Sequence, residues 1–116
     1  MIQKTQALKP KSSNNKKQIA IDFANSLNNL EIEKIILFGS VARGEDNEDS
    51  DIDILIVTFN IGDDLKIEDE IYGKTFDILL KTGEYLSVKM IDSEHYKQYI
   101  NFSFYKNIEK DGILIG

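Results

Sequence analysis

Phe38-Gly39-Ser40-Val41-Ala42-Arg43-Gly44-Glu45-Asp46-Asn47-Glu48-Asp49-Ser50-Asp51-Ile52-Asp53 is the stretch that decides how this chain reads. A short apolar run, Lys34-Ile35-Ile36-Leu37-Phe38, leads into it, and Ile52-Asp53-Ile54-Leu55-Ile56-Val57 carries the chain out. Both runs have the length and β-branched content of strands. The second is apolar on both faces beyond Asp53, the pattern of a strand covered on both sides by helices. A polar, Gly-containing loop from Ser40 to Ser50 joins them, with one helical turn expected around Val41–Arg43.

Two known motifs start as this stretch starts and then fail. Gly39-x₄-Gly44 after a strand opens like a phosphate-binding P-loop. That motif next needs Lys and Ser/Thr, whereas Glu45 and Asp46 follow here and would repel a phosphate. Asp49-x-Asp51-x-Asp53 opens like a calcium loop, but Ile54 stands where Gly is required and Asn60 where the closing Glu is required. What remains is a Gly-Ser turn, ten residues, then Asp-x-Asp at the start of a strand. Alternate strand residues point the same way, so Asp51 and Asp53 share a face about 7 Å apart. Such a pair repels unless a cation lies between, and all-oxygen donors suit Mg²⁺ or Mn²⁺ better than zinc. Gly39 lets the backbone approach a phosphate, to which its N–H neighbours and the Ser40 hydroxyl can donate. If the two strands are neighbours, the turn and the acids converge on one nucleoside triphosphate.

Composition supports carboxylate chemistry by elimination. The 116 residues contain no Cys and one His, His95, which excludes disulfides, thiolate metal sites and paired-imidazole zinc sites. With 14 basic against 20 acidic residues and a net charge of −6, the chain is a poor candidate for holding nucleic acid by bulk electrostatics. No apolar run reaches the roughly 18–20 residues of a membrane span. The polar Met1–Pro10 shows no signal peptide, so a reducing cytoplasm is the expected compartment. Residues 1–21 hold Lys4, Lys9, Lys11, Lys16 and Lys17 and no acid. They read as a solvated basic arm (1–15) running into a helix, ahead of a single domain over 16–116.

Elsewhere the periodicity predicts a helix, capped by Ser13 or Asn14, through Ile19, Phe23, Leu27 and Leu30. Residues 63–82 keep a ragged helical period through Leu65, Glu68, Ile71, Thr75 and Ile78, with Gly83 placed as a terminating glycine. The competing reading is a strand at Thr75–Leu80. Glu84–Asp92 alternates with Leu86, Val88 and Met90 on one face and reads as a strand. Asp92 or Ser93 can cap a last helix through Tyr96, Tyr99 and Ile100, and Ile113–Ile115 reads as a short closing strand. His95 reads as an exposed residue, and Tyr96, Tyr99, Phe102, Phe104 and Tyr105 as an aromatic packing cluster. The fold class is α/β (α+β), a small mixed sheet flanked by helices.

Gly39-Ser40-x₁₀-Asp51-x-Asp53 resembles the signature of the DNA polymerase β-like nucleotidyltransferase superfamily. The context Phe-Gly-Ser-Val-Ala-Arg-Gly-Glu and the short chain are similar to its minimal nucleotidyltransferase branch. The resemblance covers roughly residues 16–115. It implies that Asp51 and Asp53 are metal ligands and catalytic, that Gly39 and Ser40 hold the β,γ-phosphates, and that Arg43 steadies the phosphates or the loop. It further implies Mg²⁺ (or Mn²⁺) with ATP or another NTP, and transfer of AMP to an acceptor hydroxyl. The minimal branch also implies a HEPN-domain toxin as partner, with this chain as antitoxin. A small-molecule adenylyltransferase and a silent module acting by contact are the alternative readings. The family pattern includes a third acid on the next strand. With that strand at Glu84–Asp92 the position falls at Ser87–Lys89, where no carboxylate stands, whereas a strand at Thr75–Leu80 would offer Asp77.

Overall fold

The computed structural model describes residues 12–27, 31–59 and 64–116. In chain order the elements are α1 (Ser12–Asn25), β1 (Ile32–Phe38), α2 (Gly39–Arg43), β2 (Ile52–Thr58) and α3 (Asp64–Thr82). Then follow β3 (Leu86–Asp92), α4 (Ser93–Tyr99), α5 (Ser103–Asp111) and β4 (Ile113–Leu114). The expected mixed sheet is present, with strand order β3-β2-β1-β4. β1 runs antiparallel to β2 and to β4, while β2 and β3 are parallel. A parallel neighbour requires a long crossover, and α3 supplies it.

This topology gathers three strand ends at one edge of the molecule. β1 finishes where β2 and β3 begin, and the register places Phe38 beside Asp53 and Asp53 beside Ser87. Ile54, Leu55, Ile56 and Val57 are completely buried, as a strand covered on both faces requires. Each such side chain contributes roughly 1.5–3 kcal/mol by leaving water. One face of the sheet packs Ile35, Leu37, Ile52, Ile54 and Ile56 against Phe23 and Leu27 from the α1 side and Ile71 of α3. The other packs Ile36, Leu55 and Val57 against Tyr96 of α4 and Ile108 of α5. Asp53 shares the second face with Leu55 and Val57, because strand side chains alternate.

The helical reading of 63–82 holds in α3. Ile71 and Thr75 are buried and Ile67 and Ile78 half-buried, the spacing of one helix face, whereas a strand would have placed Phe76, Ile78 and Leu80 together. Phe76 and Leu80 are in fact exposed. Gly83 takes φ +78° and its N–H donates to the Leu79 carbonyl at 2.9 Å, which ends the helix as a C′ glycine does. Asp92 caps α4, accepting from the His95 backbone N–H at 2.9 Å.

Several expectations differ in extent. β1 starts at Ile32 rather than Lys34, with a register irregularity between those residues. β3 starts at Leu86 rather than Glu84, and the closing strand is Ile113–Leu114. The single last helix is two: α4 ends at Tyr99, and α5 restarts at Ser103 to bring Ile108 onto the sheet. α1 begins at Ser12, inside the stretch read as a basic arm. The side chains of Ser13 and Asn14, Leu30, and residues 1–11 of the basic arm lie outside the described residues.

Candidate active site

Gly39 is the hinge of the site. It follows β1 directly and has φ +77°, a conformation that L side chains adopt at a cost and glycine adopts freely. A Cβ built there would overlap the Asp53 carboxylate, at 3.1 Å from its Cγ and closer still to Oδ2. The absent side chain therefore makes the space that the carboxylate occupies. From Gly39 the chain enters α2, five residues long, which buries Val41 and ends at Gly44, itself at φ +72°. The Glu45 N–H donates to the Ser40 carbonyl at 2.9 Å and closes this turn.

The structure brings Gly39 and Asp53 into contact and keeps Asp51, two residues upstream, exposed, with its charge felt by Asp53. Asp53 is half-buried, and burial is the main reason its carboxyl is held above the ordinary aspartate range. The charge of Asp51 pushes the same way, and the charges of Lys89 and Arg43 oppose it. For Asp53, burial and the neighbouring Asp51 charge both disfavour ionisation, and a hard divalent cation at its carboxylate would relieve both. Among the described residues no group of three acids or imidazoles is arranged to hold a metal.

Ser40 lies in the first turn of α2, next to the hinge. Arg43 closes the helix, and its Nε donates to Glu45 at 2.9 Å. Its field reaches both Asp53 and Asp111. Between the Gly39 turn and α5 opens a cavity of about 230 Å³, lined among others by Phe38, Arg43, Phe104, Asn107 and Asp111. The position expected for a third acid is resolved by the register: Ser87 is the residue beside Asp53. Asp77 is an exposed residue of α3.

Sequence reading missed several residues in and around the candidate site. Lys89 lies on the Asp53 face because Leu86, Val88 and Met90 take the other, and that alternation was the available signal. Phe104, Asn107 and Asp111 reach the cavity from α5, an element the sequence reading did not separate from α4. Lys16, one of the five lysines in the acid-free residues 1–21, is completely buried. Asp46 also departs from a simple solvated acid, since both its carboxylate oxygens are buried without a hydrogen-bond partner.

The Gly-Ser turn, the Asp-x-Asp strand and this mixed sheet define a nucleotidyltransferase-type fold, and comparison with known proteins agrees. The sequence profile of the nucleotidyltransferase domain family matches residues 17–115, and the chain belongs to that family. A relative from Methanocaldococcus jannaschii, assigned by name to the protein adenylyltransferases, is 37% identical over 101 residues. That match covers 84% of this chain and 95% of the relative. Among solved structures, a nucleotidyltransferase from Sulfolobus solfataricus superposes with a TM-score of 0.50 at 21% identity, covering 92% of this chain and 88% of the other. A toxin–antitoxin structure with AMP-PNP superposes with a TM-score of 0.53 at 20% identity, covering 88% of this chain and 73% of that one. These two likenesses establish the fold.

Proposed function

We propose that this nucleotidyltransferase moves AMP from ATP to a hydroxyl on a protein acceptor, with Mg²⁺ held by Asp51 and Asp53. The observation that supports the reading is the packing of the left-handed Gly39 turn against the Asp53 carboxylate. In this reading Gly39, Ser40 and Arg43 receive the β,γ-phosphates, and the cation supplies charge stabilisation at the α-phosphate. The acceptor oxygen forms its bond to the α-phosphorus as the bond to the β,γ-pyrophosphate breaks. Pyrophosphate leaves and the hydroxyl proton passes to solvent. Asp51 and Asp53 act through positioning and electrostatics, without a covalent enzyme intermediate.

A protein acceptor is supported by the name carried by the relative from M. jannaschii. The minimal-branch resemblance, together with the toxin–antitoxin assembly among proteins of this fold, supports a HEPN-type toxin as that acceptor and an antitoxin role. Residues 16–116 form the nucleotidyltransferase domain in this assignment, and 1–15 a basic arm. One observation favours a second reading, a module that neutralises its partner by contact alone: Ser87, not an acid, stands beside Asp53.

The test is label transfer. The protein, Mg²⁺, α-labelled ATP and the co-purified partner are incubated, and the reaction is repeated with Asp51→Asn and Asp53→Asn. Label on the partner, abolished by both substitutions, is the expected result. Partner binding without label, unchanged in both variants, overturns the enzymatic reading and leaves the contact module.

A further inference from the structure

Lys16 is the one buried ammonium among the described residues, and the reaction outlined above makes no use of it. Removing an ammonium from water costs several kcal/mol unless its protons find acceptors. Here the acceptors are in place. Nζ donates to the Ser50 carbonyl at 2.9 Å, reaches the Glu48 carbonyl at 3.5 Å and pairs with the Glu84 carboxylate. Three donors thus meet three acceptors, the full capacity of the group. Those acceptors lie 32, 34 and 68 positions away along the chain.

The partners are placed where the site is assembled. Ser50 is the residue before Asp51, and Glu84 lies two residues before β3. Between them the Ile52 N–H donates to the Tyr85 carbonyl at 3.0 Å, the first rung joining the starts of β2 and β3. The loop that delivers Asp51 is internally tied as a small unit. Ser50 N–H donates to the Asn47 carbonyl at 3.1 Å, the Asn47 N–H to Ser50 Oγ at 2.9 Å, and the Asp49 N–H to Asn47 Oδ1 at 2.8 Å. Such a unit keeps its own shape while its placement depends on what anchors it. Lys16 anchors it from α1, at both Glu48 and Ser50, and through Glu84 ties it to the strand that lies against Asp53.

We infer that Lys16 is a positioning residue for the acidic pair: its ammonium fixes Asp51 relative to Asp53 by holding the Glu48–Ser50 backbone against Glu84. The inference rests on the assignment of Asp51 and Asp53 as metal ligands. It does not require Lys16 to touch nucleotide, and its burial prevents that. Outer groups that orient metal ligands typically change metal affinity by about 10- to 100-fold when removed, and that range sets the expected effect.

The test measures Mn²⁺ affinity by electron paramagnetic resonance in the presence of a non-hydrolysable ATP analogue, on the full chain. Lys16→Met keeps the aliphatic stem and removes the ammonium. Glu84→Gln keeps a hydrogen-bonding group of the same shape and removes the partner charge. The expected results are a Mn²⁺ dissociation constant raised about tenfold or more in Lys16→Met and a smaller rise in Glu84→Gln, with the double variant no worse than Lys16→Met. If Lys16→Met does not fold, Glu84→Gln decides. Wild-type Mn²⁺ affinity in the folded variants, whatever their melting temperature, overturns the inference. Asp53→Asn in the same titration separates the two layers. Loss of Mn²⁺ there with wild-type binding in the Lys16 variant sinks only the positioning role. Retention of Mn²⁺ in Asp53→Asn sinks the metal assignment beneath it.

Discussion

Substituting alanine at Gly39 and, in parallel, at Gly44 separates backbone strain from displacement of Asp53. Both glycines are left-handed, at φ +77° and +72°, so both alanines incur a similar conformational cost of about 1–2 kcal/mol. For 116 residues the unfolding entropy is about 0.24 kcal/mol per kelvin, so either variant should melt roughly 4–8 °C below wild type. The two sites differ in what the new methyl meets. At Gly44 no atom lies within 4 Å, whereas at Gly39 the Cβ would overlap the Asp53 carboxylate. Restoring an ordinary contact moves that carboxylate by about 1 Å, and a misplacement of that size costs on the order of 10²-fold in rate. Melting followed by circular dichroism and label transfer from α-labelled ATP are the two assays. The expected outcome is two similarly destabilised proteins, with Gly44→Ala active and Gly39→Ala about 10²-fold slower. The reasoning fails if Gly39→Ala stays within threefold of wild type, or if Gly44→Ala loses as much as Gly39→Ala.

Two further predictions follow from the register and from the cap of α4. Ser87→Asp places a carboxylate beside Asp53 and should tighten Mn²⁺ binding several-fold, read by the same resonance titration; weaker binding would show that the added charge only repels. Asp92 donor contacts, first the His95 backbone N–H and then its ring, hold the Asp92 carboxyl below the usual 3.8. A depressed carboxyl contributes stability that is present above the unfolded-state value and is lost as pH falls through the folded-state value. Asp92→Ala should therefore melt lower than wild type at pH 5–6, and the gap should narrow below about pH 4. A gap that stays constant from pH 6 to pH 3 would remove the charge from the explanation.

Much of the candidate site was legible because its logic is local. Gly39, Ser40, Asp51 and Asp53 follow from a strand, a turn and the two-residue period of the next strand, all within sixteen residues. The helix over 63–82 was legible for the same reason, since Ile71, Thr75 and Ile78 keep one face. The boundary between α4 and α5 was not, because Tyr99, Phe102 and Tyr105 keep a near-helical spacing across the break. Only packing of Ile108 on the sheet decides where the second helix lies.

Lys16 shows the limit most plainly. Five lysines without an acid have the composition of a solvated arm, and nothing local distinguishes the fourth from its neighbours. Its acceptors come from residues 48, 50 and 84, so its role exists only once α1 is laid across the starts of β2 and β3. By itself the sequence determined the two strands around the loop, the hinge glycine and the carboxylates, because these depend on backbone period and residue type. The tertiary structure alone decided that Asp53 fills the space left by Gly39, that Ser87 is its neighbour and that a buried ammonium holds the loop before Asp51. Those facts depend on register and on contacts between distant segments, which no local pattern encodes.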